Sequence, residues 1–341
     1  MKMIIHWALL APLLFASFAW ACAALFFDGP FSGLIAAVFA CAAIGALGWA
    51  RPFFWKGLSL FAALVLAVVF WWLSIEPSNE RNWLPDVARP PEADIDGDRI
   101  TIRNVRNFVY RSEFDYDERW EERTYDLSKL EGVDIFLVYW GSPWIAHTIM
   151  SWTFEDGPPL AISIETRKEV GEEYSAVRGF FRQFEIYYVV ADELDVVRLR
   201  TNYRGEEVYL YRLLASPELA RNILLAYFEE INQLAMKPRW YNAIRYNCTT
   251  AIRHLVQNVA PGNPFDWRIL LNGRIDELAY ERGNIDTSMP FDELKQKSDI
   301  TQRAMAAKRV SDFSAKIREG LPGRGKSAPR VDLQSAEPRR P

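Results

Sequence analysis

The sequence predicts an α+β protein: an N-terminal three-helix transmembrane region followed by a domain built on an antiparallel sheet. Three observations predict it. Three long uncharged apolar runs fill most of residues 1–74. Short β-branched and aromatic runs, separated by turn residues, occupy 99–213. Two helical patterns with apolar stripes follow.

The apolar runs are Trp7–Phe27, Phe31–Ala50 and Gly57–Ser74, with 21, 20 and 18 residues. Each suits a helix across a hydrocarbon layer of roughly 30 Å. "ACA" near Cys22 could serve as a signal-peptide cleavage site, but two further runs follow at once, so an anchor is expected. Lys2 precedes the first run, and Arg51 and Lys56 lie in the second connection. Asp28 lies in the first connection, and Glu76 follows the third run. Positive charge stays inside, which puts the N-terminus in the cytoplasm and everything after Ser74 outside. In a Gram-negative cell that is the inner membrane with a periplasmic domain. Trp71 and Trp72 suit the interfacial belt.

Residues 75–98 are rich in Pro and charge and read as a linker. Strands are expected at Arg99–Val105, Val133–Trp140, Ile145–Phe154, Leu160–Arg167, Phe184–Ala191, Asp195–Arg200 and Glu207–Leu213. "EDGPP" turns the third strand into the fourth. A helix then starts with Ser216 as N-cap and Pro217 in the first turn. A second runs from Cys248 to Ala260 and stops at Pro261–Gly262. The folded domain is expected over 99–290, with a helical or disordered basic tail over 291–341. Residues 301–341 hold ten Lys/Arg against four Asp/Glu, as solvated tails do.

The formal charge of −4 selects no partner, and no nucleic acid is expected. The three cysteines, Cys22, Cys41 and Cys248, exclude a disulfide framework, since the first two lie in apolar runs. Three histidines without zinc spacing predict no metal. No phosphate loop or dinucleotide fingerprint calls for a cofactor.

Cys248 is therefore alone in the soluble region. Asn247 before it is a favoured N-cap, which makes Cys248 the first helical residue. Orphan N–H groups and the macrodipole lower a thiol's pKa there, and the Cys248 amide could meet an oxyanion. The plainer reading is a small buried hydrophobe. A nucleophilic thiol needs a base. His254, six residues on, faces away at about 240° around the helix. His147 shares one strand face with Ile145, Ile149 and Ser151. A hairpin centred on Gly157 pairs Ile149 with Glu165 and makes His147 and Glu165 diagonal neighbours. Glu165 could equally form a sheet-face ion pair with Arg167 or Arg178. Nucleophile, base and orienting acid in this arrangement follow the plan of papain-like hydrolases. Histidine before cysteine implies the circularly permuted form, as in the lecithin:retinol acyltransferase group.

"YWGSPWIAHTIMSWTF", the segment from Ala161 to Leu213, and "RWYNAIRYNCTTAI" resemble the periplasmic domain of the Lnb-type lipoprotein N-acyltransferases over about 105–260. The "YNxxxxNCTT" and "SIExR" elements carry the resemblance. It implies a permuted papain-like fold and acyl transfer with Cys248 as nucleophile and His147 as base. Glu165 as the third residue comes from spacing alone. The chain departs from the family by placing its apolar runs before the domain, and by reading "ADELD" at Ala191–Asp195 where the family pattern has "ADERD". Asn247, Trp140 and Tyr241 are candidates for substrate or oxyanion contacts, and Trp140, Trp144 and Trp152 for an acyl groove or for core.

Three function classes follow: an acyltransferase acting on bilayer lipid or lipoprotein, a cysteine amidase acting on peptidoglycan peptides, and an inert envelope scaffold. An apolar groove beside Cys248 favours the first, and a polar open cleft the second. A buried Cys248 more than about 7 Å from His147 favours the third.

Overall fold

The computed structural model describes residues 2–50, 52–244, 246–260, 262, 264–307 and 312–324. The chain divides into two compact units. One comprises Met1–Arg81, Thr166–Ile186 and Pro238–Ala243; the other comprises Asn82–Glu165, Tyr187–Lys237 and Ile244–Pro341.

The first unit contains helices α1 (Lys2–Asp28), α2 (Ser32–Trp49) and α3 (Phe54–Ser74). Leu10–Asp28 and Phe54–Ser74 are long and apolar enough to cross a membrane; the apolar helix Gly33–Trp49 between them is shorter. Small residues let the three helices approach: Ala21, Ala24, Ala43 and Ala46 are buried. Gly57 abuts the backbone of Ala46 and Ala50 so closely that any side chain would collide. At one end Trp72 Nε1 donates to Asp28 Oδ2 at 2.7 Å, and Gln183 Nε2 donates to Asp28 Oδ1 at 2.7 Å. The Arg182 guanidinium lies 4.4 Å from the Trp72 ring centre.

The second unit is a sheet faced by helices, with Thr166–Arg167 and Glu185–Ile186 at two strand ends counted in the first. Its strands are β1 (Glu92–Asp96), β2 (Arg99–Arg106), β5 (Trp120–Asp126), β6 (Leu130–Tyr139), β7 (Ala146–Phe154), β8 (Leu160–Arg167), β9 (Glu185–Asp192) and β10 (Glu207–Arg212), with the small ribbon β3 (Val109–Tyr110) and β4 (Tyr116–Asp117) apart. The order is β1-β2-β9-β8-β7-β6-β10, with β5 on β2. The sheet is mixed and not purely antiparallel, because β2 meets β9 in parallel at Arg106–Ala191. The segment read as a linker contains β1, in which Ala93 and Ile95 alternate with the acidic Glu92, Asp94 and Asp96.

The expected strand Asp195–Arg200 is helical: α4 (Glu193–Arg198) runs into a π-helical stretch, Leu199–Tyr203. Asp192 caps it, accepting from the Leu194 amide at 2.9 Å. That cap, together with burial of Val196, Val197, Leu199 and Arg200, overrides the strand preference of the two valines. The acidic residues of "ADELD" are engaged: Asp195 binds Arg106 at 2.7 Å and Glu193 binds Arg318 at 2.6 Å. Leu194 packs half-buried against the core with Leu84 and Leu321.

The β7–β8 register also differs from expectation. Ile149 faces Ser163 and Trp152 faces Leu160, a shift of two residues. Pro158 and Pro159 lack the N–H that would extend β8 backwards, so the turn centres before Gly157. A two-residue shift preserves side-chain parity.

Helix α5 (Pro217–Met236) starts where Ser216 accepts from the Leu219 amide, and buries Ile223, Leu224, Tyr227, Phe228, Ile231 and Leu234. Trp152 Nε1 donates to Ala220 O at 2.9 Å, fixing α5 to β7. Helix α6 (Cys248–Val259) packs beside α5. Helices α7 (Ile275–Glu281), α8 (Phe291–Ser298), α9 (Thr301–Ala306) and α10 (Phe313–Ile317) follow. The last two cover the face formed by Phe136, Val138, Ile149, Val189 and Leu210 with Ile300, Ala304, Phe313 and Ile317. Residues 291–324 therefore fold with this unit where they are described, with Arg318 and Arg324 bound to buried Asp134. The remainder of the basic tail, 308–311 and 325–341, lies outside the described residues.

Candidate active site

Helix α6 begins at Cys248 because Asn247 caps it. The Asn247 carboxamide oxygen accepts from the amides of Thr249 and Thr250 at 3.0 and 2.9 Å, and the Thr250 hydroxyl accepts from the Asn247 amide at 2.9 Å. Asn247 is thus a cap, its carboxamide oxygen turned inward. Behind α6, the Tyr246 hydroxyl donates to buried Glu230 of α5 at 2.5 Å and holds the approach to the cysteine.

The sulfur of Cys248 lies beside the His147 imidazole and the backbone N–H of Thr148, close enough for both to lower its titration. His147 is the second residue of β7 and pairs with Val138 of β6. Pairing of β7 with β8 ends at Ile149–Ser163, so the start of β7 is open on that side and the start of α6 reaches it. His147 Nε2 lies 2.6 Å from Ser163 Oγ and 3.1 Å from Glu165 Oε1. Nδ1 is the ring nitrogen left for the sulfur. Continuing the observed register sets His147 directly opposite Glu165. Their separation is shorter than the diagonal expected from sequence.

Three donors converge on one oxygen. Ser163 Oγ donates to Glu165 Oε1 at 2.7 Å, Arg200 Nη2 donates to it at 2.8 Å, and His147 Nε2 completes the set. Arg200 also reaches Glu206 Oε2 at 3.4 Å. Glu165 thus pairs with His147 and Arg200.

Burial alone would push the His147 imidazole down, but the charge of Glu165 outweighs it. The hydrogen bonds to Cys248 and Glu165 add to that effect and Arg200 opposes it, leaving the imidazole pushed up to about 9. Burial likewise pushes the Cys248 thiol up. The hydrogen bond and charge of His147, with the Thr148 amide and Thr249 hydroxyl, more than reverse this, so the thiol titrates below its usual value. Glu165 is held well below the carboxylate range despite its burial, by the charges of His147 and Arg200 and by hydrogen bonds from His147 and Ser163. The arrangement favours a thiolate–imidazolium pair near neutral pH.

Asn272 braces the site from the other side. Its carboxamide accepts from the Ala146 amide at 2.9 Å, donates to Ala146 O and to the Thr249 hydroxyl, and lies 3.9 Å from Cys248 Sγ. Tyr227 of α5 is fully buried, edge-on to Trp152 at 5.1 Å, with a hydroxyl that has no hydrogen-bond partner. Burial, and the nearby charge of Cys248, push that hydroxyl well up. Ser163, Arg200, Asn272 and the Thr148 amide are absent from the sequence reading. Ser163 alternates with Glu165 on one strand face and was findable by parity; Arg200 was hidden by the misread strand.

Trp140 stands two residues beyond Val138, the cross-strand partner of His147, and is 44% exposed. Tyr241 belongs to the first unit, where its amide donates to Phe184 O at 2.8 Å and its ring covers Gly179. His254 is exposed on α6. Trp152 is core. Among the described residues no group of three or more His, Cys, Asp or Glu side chains could hold a metal ion.

Large apolar side chains surround the residues that brace the site. Trp144, Ile145, Phe265, Trp267, Leu270 and Leu271 are each between 44% and 61% exposed. The Arg274 guanidinium bridges Trp144 and Trp267, 6.0 Å from each ring centre, and Trp144 O accepts from the Gly273 amide at 3.0 Å.

Comparison with curated proteins and with solved structures finds no match. The family model of the Lnb N-terminal periplasmic domain matches residues 116–273, a segment that includes His147, Glu165, Arg200, Cys248 and Asn272. Over that segment the chain is similar to the Lnb N-terminal periplasmic domain family.

Proposed function

We propose that the chain is a membrane-anchored, thiol-dependent acyltransferase, with Cys248 as nucleophile and His147 as acid–base, acting on lipid or lipoprotein acyl chains in the periplasm. The observation that carries this reading is the His147 imidazole placed beside the Cys248 sulfur at the start of α6 and backed by Glu165 at 3.1 Å. A scaffold with a decayed site has no need of that contact.

The chemistry follows from the geometry. The thiol proton passes to His147, and the thiolate sulfur forms a bond to the carbonyl carbon of an ester. The Cys248 amide, which the Asn247 cap leaves free, faces the developing oxyanion. The ester C–O bond breaks, and the departing alkoxide takes the proton from His147. An amine then attacks the thioester and gives its proton to His147; the C–S bond breaks and the thiolate returns.

The exposed apolar rim at Trp144, Ile145, Leu270 and Leu271 supports an acyl substrate over a peptide, because those residues flank Ala146 and Asn272 beside the sulfur. We read the fold as a circularly permuted papain-like domain. Three spanning helices with the N-terminus in the cytoplasm agree with the charges that flank them.

The test is covalent labelling of the full chain in detergent by an acyl-chain ester probe. Labelling is expected at Cys248 and lost in both Cys248→Ala and His147→Ala. Unchanged labelling of Cys248→Ala would sink the reading. Cleavage of peptidoglycan peptides without acyl labelling would replace it with the amidase.

A further inference from the structure

We propose that Arg200 is a positioning residue for the Cys248–His147 pair: it shares the charge of Glu165 with the imidazole and so sets how firmly His147 keeps the proton it must deliver. The inference rests on the reading of Cys248 as nucleophile and extends it to a residue that touches neither sulfur nor imidazole.

The geometry is a chain of charges: Glu206, Arg200, Glu165, His147, Cys248. Arg200 Nη2 and His147 Nε2 compete for the same carboxylate oxygen, at 2.8 and 3.1 Å. Ser163 Oγ occupies the third position on that oxygen. The guanidinium is buried and comes from the π-helical stretch Leu199–Tyr203. Glu206 binds its far side. The charged and titratable groups facing the imidazole are therefore Glu165 from β8, Arg200 with Glu206 behind it, and Cys248 from α6, beyond which lies the hydroxyl of Tyr227.

A carboxylate held only by His147 would stabilise the imidazolium further. The proton would then be surrendered reluctantly to the leaving alkoxide, because an acid works best with a pKa near the operating pH. Arg200 draws part of that charge away, and Glu206 returns some of it by occupying Arg200. The signs alternate along the chain. Removing Glu165 lowers the imidazole pKa, removing Arg200 raises it, and removing Glu206 lowers it.

The experiment measures the pH dependence of Cys248 alkylation by iodoacetamide in the full chain, read on the Cys248 peptide by mass spectrometry. The parent is expected to react below the ordinary thiol range, with a second rise where His147 loses its proton. Arg200→Met is expected to move that second rise up by about one pH unit, and Glu206→Gln to move it down by a smaller amount. Arg200→Lys is expected to stay near the parent. Cooperative melting identifies the variants that fold; Glu206→Gln and Arg200→Lys carry the test if Arg200→Met does not. Shifts of the same sign for Arg200→Met and Glu206→Gln, or no shift in either Arg200→Met or Glu206→Gln, overturn the proposal. If the parent itself alkylates like a free thiol, the fault lies with the nucleophile reading.

Discussion

Two charge clusters, one part-buried and one buried, share one face of β6 and β7, four residues apart. At the start of β7, His147 joins Glu165, Arg200 and Cys248. Further along, Ser151 donates to Glu193 at 2.5 Å, and Asp134 accepts from Arg318 and Arg324 at 2.8 and 2.6 Å. Both clusters are built from carboxylates and arginines on the same scaffold. The second sets its carboxylates against arginines, which hold their protons, and contains no imidazole or thiol. The first contains an imidazole and a thiol whose titrations are pulled together. One cluster can only stay as it is; the other can pass a proton.

That contrast can be broken from either side. The largest effect is expected from Cys248→Ala or His147→Ala, which should lower acyl transfer by about 10³-fold or more while the melt stays cooperative. Arg318→Ala should do the reverse. It leaves Asp134 and Glu193, both fully buried, short of their main partner and should cost about 3–5 kcal/mol in urea unfolding, with the alkylation profile of Cys248 unmoved.

Glu165→Gln belongs between them. It should reduce turnover about 10²-fold. It should also flatten a pH dependence of stability whose sign is fixed. His147 titrates higher folded than unfolded, so its contribution is complete below about 6.5. That contribution is lost as pH rises through about 9. Urea unfolding of parent and variant from pH 6 to 10 measures the difference. The smallest effect is expected from Trp144→Ser: stability within about 0.5 kcal/mol, and a few-fold loss of turnover on membrane-embedded substrate, with alkylation by a water-soluble reagent unaltered.

Much of the fold is legible in the sequence wherever a local rule acts alone. Proline and turn chemistry set β8 at Leu160–Arg167, and Ser216–Pro217 marks the start of α5. Asn247 marks the start of α6. His147 and Glu165 fall on one face even though the expected register was off by two, because strand parity repeats every two residues. What is not legible depends on tertiary partners. Val196 and Val197 read as strand until the Asp192 cap and burial are known. β5 is mostly half-exposed and polar, so it shows no apolar alternation. Arg200 and Asn272 reach the site from segments 35 residues after Glu165 and 24 after Cys248, separations that no pattern in one sequence relates.

Phe313 and Ile317 seal the β6–β7 face, and the Arg324 guanidinium fills the space left by Gly132 at the β6 irregularity. These residues emerge from the ribosome 65 to 76 positions after Cys248. The cysteine is therefore made well before the wall behind it. A newborn chain must carry an open greasy flank until α10 arrives, which makes that interval the moment when chaperones have most to hold and proteases most to cut.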